Sequence, residues 1–158
     1  MENPGAFMGT PFYLVGAPWP MLDSGAEKTP HSLQDADDCV LCSQPSEMMD
    51  HLLVACVFCG EVWYKVLQVL GLQQLTPNLV ESFCEWWLQA RKRVPKVRRR
   101  DFDVLVLLVS WMIWKERNAR TYRAEVRSSS QLVLAIKEEA LQWDHAAYRH
   151  IRSLIVSG

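Results

Sequence analysis

Between residues 39 and 56 the chain carries Cys39, Cys42, His51 and Cys56, a C-x2-C-x8-H-x4-C run whose four soft donors can converge on one tetrahedral metal ion. No other feature restricts the fold so much, because the whole stretch must then wrap round a single point. The C-x2-C pair lets one tight turn aim both thiolates at the ion. The histidine and the cysteine five positions beyond it can come from the next helical turn. Cys59 opens a rival set, since Cys39, Cys42, Cys56 and Cys59 form two C-x2-C pairs thirteen residues apart, close to the ribbon-type four-cysteine pattern. Spacing alone leaves the fourth ligand open between His51 and Cys59. Either set fills all four positions with protein, so the expected role is a closed, structural Zn2+ site rather than a catalytic one. The plainer alternative is a group of buried thiols with a histidine at the edge of the core.

At 158 residues, 49% hydrophobic and 22% charged, the chain is long enough for one real core and short for two. Residues 1–38 are rich in Gly, Pro and small polar residues, and read as an irregular or partly disordered lead-in to a domain over 39–158. The aromatic cluster Phe12, Tyr13 and Trp19 could dock on that domain. Glu2, the absence of a basic n-region and the prolines Pro4, Pro11, Pro18 and Pro20 argue against a secretory signal, so five cysteines do not imply a disulfide framework. A reducing compartment, cytoplasmic or nuclear, is expected. The longest apolar run, Val104 to Trp114, is interrupted by Ser110 and falls short of the roughly 20 residues a membrane span needs.

The pattern from Glu47 onward is helical, and no segment alternates as a strand would. Met48, Leu52 and Ala55 share one face of a short helix carrying His51. Phe58, Val62, Val66, Leu67 and Leu70 follow at helical spacing and stop at Gly71. A third helix is expected to start with Thr76 as N-cap and Pro77 at its first position, to turn Leu79, Phe83, Trp86 and Trp87 inward, and to end at Pro95. The fourth, over about 99–125, should be the central element, with Phe102, Leu105, Val106, Val109, Met112 and Ile113 surrounded by the others, while its C-terminal half turns basic and amphipathic. The fifth opens with the capping-box pattern Ser128-x-x-Gln131 and carries Leu132, Ile136, Ala140, Trp143, Ala147, Ile151 and Leu154 on one stripe. The expected fold is an all-α bundle of four to five helices with a zinc knuckle at its entrance.

A net charge of −1 conceals a bipolar chain: residues 91–127 hold twelve Lys or Arg against Asp101, Asp103, Glu116 and Glu125. Arg91, Lys92, Arg93, Lys96, Arg98, Arg99 and Arg100 form a candidate localisation or phosphate-binding patch, which Arg117, Arg120, Arg123 and Arg127 would extend; the simple alternative is a solvated loop. Of the seven tryptophans, Trp86 and Trp87 are adjacent and cannot both face one core. These two and Trp143 are the candidates for gripping a protein partner or a second copy of the chain. No spacing brings a nucleophile to a base, and there is no phosphate loop, H-E-x-x-H or nucleophile elbow, so no enzymatic activity is expected.

Two segments resemble one family. Cys39-Val-Leu-Cys42, Glu47, His51-Leu-Leu, Cys56-Val-Phe and Val62-Trp63 look like the zinc-binding region that follows the reverse-transcriptase domain of plant LINE-type retroelements. Trp111-Met-Ile-Trp114-Lys-Glu-Arg117-Asn118-Ala-Arg120 is similar to the helical segment that comes next in those polyproteins. The resemblance covers about 39–145 and implies Cys39, Cys42, His51 and Cys56 as the ligands, with Cys59 at a position where the family usually has a small residue. The family's polymerase and RNase H regions have no counterpart in this sequence. The resemblance thus implies a retroelement-derived, non-catalytic binding module, compatible with a recruited regulator, inhibitor or antidote of another protein. The alternative is a nucleic-acid-binding remnant using residues 91–100.

Overall fold

A computed structural model of the protein describes residues 38–45, 47–78 and 81–145. All of these fall within one unit, Asp35–Gly158. The lead-in residues 1–37, with Phe12, Tyr13 and Trp19, lie outside the described residues, as do Leu79 and the far stripe positions Ala147, Ile151 and Leu154.

The described chain is helical, as its periodicity predicts. A π-helical turn, His51–Ala55, leads into α1 (Val57–Val69), α2 (Phe83–Arg93), α3 (Arg99–Arg123) and α4 (Ser129–His145), with 3-10 turns at Gln73–Leu75 and Lys96–Arg98. One isolated bridge, Asp38 to Pro45, is the only β pairing among the described residues. No described helix is long and apolar enough to cross a membrane.

α3 is central because its middle stretch, from Phe102 to Ile113, is apolar in most directions. Phe102, Leu105, Val106, Leu108, Val109, Met112 and Ile113 are all buried, and each contributes on the order of 1.5–3 kcal/mol by leaving water. α4 packs on both α1 and α3, burying Leu132, Val133, Ile136 and Ala140, while α2 packs on α3. Trp63 on α1 and Trp86 on α2 meet at 4.6 Å between ring centres, tilted by 57°, a favoured arrangement for aromatic pairs. Their indole N–H groups donate to Leu53 O and Leu75 O, both at 2.7 Å, so neither buried ring leaves an orphan donor.

The helix ends follow local chemistry. α1 stops at Leu70 and Gly71, whose φ of +68° lies in the left-handed region that only glycine adopts without strain. Ser128 and Gln131 form the expected reciprocal cap on α4: Gln131 N–H donates to Ser128 Oγ at 3.2 Å, and Ser128 N–H donates to Gln131 Oε1 at 2.8 Å. The start of α2 departs from expectation. Thr76 turns its hydroxyl back to Gln73 O at 2.7 Å, and the helix begins at Phe83 behind Ser82 and Glu85, a full capping box. Asp50 reinforces that end by accepting Phe83 N–H at 2.9 Å, so a tertiary contact helps decide where the helix starts.

Candidate metal centre

The C-x2-C segment folds as a tight loop because its own peptides close it. Cys39 N–H donates to Gln44 O at 2.8 Å, and Ser43 N–H returns to Cys39 O at 2.7 Å. Ser43 takes φ +58° to make the turn. The second half uses the π turn. In a regular α-helix, positions five apart point about 140° away from each other. The wider π turn, closed by Cys56 N–H to His51 O at 2.7 Å, brings His51 and Cys56 round to the same side.

The result is a cluster of Cys39, Cys42, His51 and Cys56 in which one ligand atom of each lies within 4.8 Å of all the others, able to hold a metal ion. His51 Nε2 faces Cys42 Sγ at 3.2 Å, and Cys39 Sγ is 3.9 Å from Cys56 Sγ. It is the only such group of three or more His, Cys, Asp or Glu among the described residues. Cys59 is not part of it. Its thiol is fully buried one helical turn into α1, where it interacts with the Cys56 thiol. The ambiguity left by spacing is resolved by the π turn, which points His51 at the cluster.

The sulfurs are prepared unequally. Burial pushes the Cys39 thiol up to about 12, against the opposing effect of the Leu41 and Cys42 N–H groups. Burial also raises Cys42, opposed by Gln44 N–H. Cys56 is pulled down to about 5, first by the Cys59 thiol and, against its own burial, by the N–H groups of Cys59 and Phe58 at the start of α1. That same interaction, with burial, drives Cys59 upward. Peptide N–H groups oppose the burial of all three thiols, but only at Cys56 does the balance favour the thiolate; at Cys39 and Cys42 burial prevails and a bound cation would have to supply the difference.

The end of α3 grips this loop, and here the reading of a continuous basic face is corrected. Arg117 Nε meets Glu47 Oε1 at 2.6 Å, and the other Glu47 oxygen accepts Val40 N–H at 3.3 Å. Arg120 Nε meets Glu116 Oε1 at 2.9 Å, and Glu116, with no exposure at all, also accepts Arg127 N–H at 2.9 Å. Three of the four arginines assigned to the extended patch are thus spent on internal ion pairs. The i,i+4 pair of Glu116 with Arg120 is readable from helical spacing, whereas the partner of Arg117 is not, because Glu47 comes from a distant loop.

The patch at 91–100 is likewise thinner than its sequence. Arg91 is paired with Asp103 at 2.9 Å, while Arg93 and Arg99 donate to the carbonyls of Gln74, Val94 and Lys92. Lys92, Lys96, Arg98 and Arg100 are exposed and have no ion-pair partner among the described residues. The tryptophans divide in the same way. Trp86, at 3% exposure, belongs to the core and is not available to a partner. Trp87 is half-buried with its N–H on Asp103 at 3.0 Å, and Trp143 packs against the core with its N–H on Glu139 at 3.3 Å. The exposed apolar side chains are others, including Leu134 and Leu141 seven residues apart on α4. No family model, no curated protein and no solved structure matches this chain.

Proposed function

We propose that the protein is a non-catalytic binding module whose helical bundle is held at one end by structural zinc, and that it derives from the zinc-binding region of a plant LINE-type retroelement. The observation that carries the metal part is the cluster itself. Zn–S bonds of about 2.3 Å and Zn–N bonds of about 2.0–2.1 Å give tetrahedral edges of about 3.5–3.8 Å. The 3.2 and 3.9 Å separations lie on either side of that range. Three cysteines and one histidine complete the coordination of such an ion and leave no open position for water, which supports a structural rather than a catalytic role. The retroelement origin rests on the two resembling segments alone, which the pairing of Glu47 with Arg117 joins in the fold.

Binding of another protein, or of a second copy, is the activity that fits a closed metal site and a bundle with exposed apolar positions. Leu134 at 58% and Leu141 at 46% exposure stand on one face of α4 and are the best candidates to meet a partner. Zinc analysis of the purified full-length chain tests the first part, with about one equivalent expected for one closed site. Sedimentation equilibrium at micromolar concentration tests self-association: a concentration-dependent dimer that Leu134→Glu and Leu141→Glu abolish is expected. A strict monomer removes the second-copy form of the proposal.

One observation favours a second reading. Lys92, Lys96, Arg98 and Arg100 are exposed cations grouped at the turn between α2 and α3, suited to phosphates of a nucleic acid. Fluorescence anisotropy with single- and double-stranded RNA and DNA separates the two. Binding that weakens steeply with salt and is lost on changing those four residues to glutamine supports the polyanion; no binding at low salt removes it.

A further inference from the structure

Arg120 stands where the two halves of the ligand set meet, and its contacts are unusual for a residue on a helix otherwise devoted to core packing. Its Nη1 lies 3.5 Å from Val40 O and 3.4 Å from Leu41 O, inside the C-x2-C loop. Its guanidinium carbon sits 4.5 Å from the centre of the Phe58 ring, at the start of α1 beside Cys56. Nε is fixed by buried Glu116 at 2.9 Å, and Nη2 donates to Arg127 O at 2.8 Å.

The two carbonyls are informative because of what lies at the other end of their peptides. The Val40 carbonyl shares its peptide with Leu41 N–H, and the Leu41 carbonyl with Cys42 N–H. Both of those N–H groups pull the Cys39 thiol down, and Cys42 N–H also closes the turn on Cys39 O at 3.3 Å. Arg120 therefore holds the oxygen ends of both peptides whose N–H groups act on that one ligand. A cation there orients those peptides and polarises them in the direction that strengthens N–H to sulfur bonding. On the other side Arg120 lies over Phe58, whose own N–H donates to Cys56 sulfur. A divalent ion with three thiolates and one neutral imidazole carries one negative charge, and the group Arg120, Arg127 and Glu116 next to it carries one positive charge.

We infer that Arg120, braced by Glu116, is a positioning residue that sets the affinity of the Cys39, Cys42, His51, Cys56 centre for its metal by acting through the Val40 and Leu41 peptides. The inference rests on the zinc reading above. It assigns to the second of the two resembling segments a task in the centre built by the first.

Competition for Zn2+ between the full-length protein and a chromophoric chelator tests it, with visible absorption of the Co2+-loaded protein as a check on the ligand set. Arg120→Met keeps a side chain on Phe58 but removes the charge and the donors. It should weaken the metal about 10–100-fold, the usual effect of losing an outer-shell partner. Arg120→Lys, which keeps the charge without the fork, should fall between. The Co2+ band positions should not change, because the ligands remain the same three sulfurs and one nitrogen. Ile136→Val, in the core contact between α4 and α1, controls for general destabilisation. An Arg120→Met affinity no lower than that of Ile136→Val overturns the inference while leaving the zinc reading intact, and so does an Arg120→Lys affinity no better than that of Arg120→Met. A parent chain that binds neither Zn2+ nor Co2+ overturns both.

Discussion

Replacing Trp63 by phenylalanine should cost far more than the loss of part of a ring, because the indole joins the core to the metal centre. Trp63 has no exposure, and its N–H donates at 2.7 Å to Leu53 O, a carbonyl inside the π turn that carries His51. Phenylalanine cannot replace that donor, and the carbonyl is too deep for water to do so readily. An orphaned buried acceptor costs about 1–3 kcal/mol. The missing ring atoms, which also touch Trp86, add roughly 1–2 kcal/mol in lost transfer energy and cavity. The expected total is about 2–5 kcal/mol, a large fraction of the 5–15 kcal/mol typical of whole domains. Urea unfolding followed by circular dichroism, with metal saturating, measures it as a lower midpoint at unchanged slope. Trp63→Phe should also weaken the metal, since the turn that aims His51 loses its anchor. A loss below about 0.5 kcal/mol, smaller than the cost of an orphaned buried carbonyl, would refute the reasoning.

The ligand set makes a sharper test than stability. Cys39→Ser and Cys56→Ser should each abolish stoichiometric metal, whereas Cys59→Ala should retain about one equivalent by elemental analysis; loss of metal in Cys59→Ala would restore the four-cysteine set. Ser43 and Ala124 hold φ of +58° and +52° without being glycine, so Ser43→Gly and Ala124→Gly should each stabilise the fold by up to about 1 kcal/mol, read as a higher urea midpoint. In the reduced, metal-free chain Cys56 is depressed to about 5 from an ordinary value of 9.0. Its contribution to stability is then complete above 9, shrinks as the pH falls, and is gone below about 5, so the urea midpoint should rise from pH 5 to pH 9. Above pH 9 the trend should reverse. The Cys39 thiol, raised to about 12, favours the folded state only while it is protonated in both states, and that advantage is lost as the pH climbs towards 12.

The sequence made the helices legible wherever one residue type had one local consequence. Gly71 ends α1, Ser128 and Gln131 cap α4, and the apolar run of α3 becomes the centre of the bundle. Helix α2 was misplaced because Thr76-Pro77 and Ser82-Phe83 are both competent starts by local rules. What separates them is Asp50, thirty-three residues earlier in the chain, which supplies an acceptor to Phe83 N–H. The fourth ligand was undecidable from spacing for a similar reason. A π turn is a local widening of the helix with no compositional signature in HLLVA, yet it alone brings His51 to the side of Cys56.

Charge was the least legible property, and the reason bears on function. Arg117, Arg120 and Arg127 look in sequence like cations waiting for phosphate, but in the fold they are consumed by Glu47 and Glu116. Burying Glu116 with its arginines gains little over an apolar core of the same shape, since desolvation offsets most of the attraction. Its worth lies in geometry. A buried charged group accepts few alternative partners, so Glu116 fixes where Arg120 points, and Arg120 points at the Val40 and Leu41 carbonyls of the C-x2-C loop. The ion-pair network thus spends positive charge on holding the knuckle to the end of α3. Besides Arg123 at the end of α3, that leaves the turn between α2 and α3, with Lys92, Lys96, Arg98 and Arg100, as the larger group of exposed cations without an ion pair among the described residues, where an acidic partner would meet them. A contest between protein and nucleic acid as partner is therefore decided on two separate faces, Leu134 and Leu141 on α4 for the one and that turn for the other, and substitutions on each can be made without touching the metal centre.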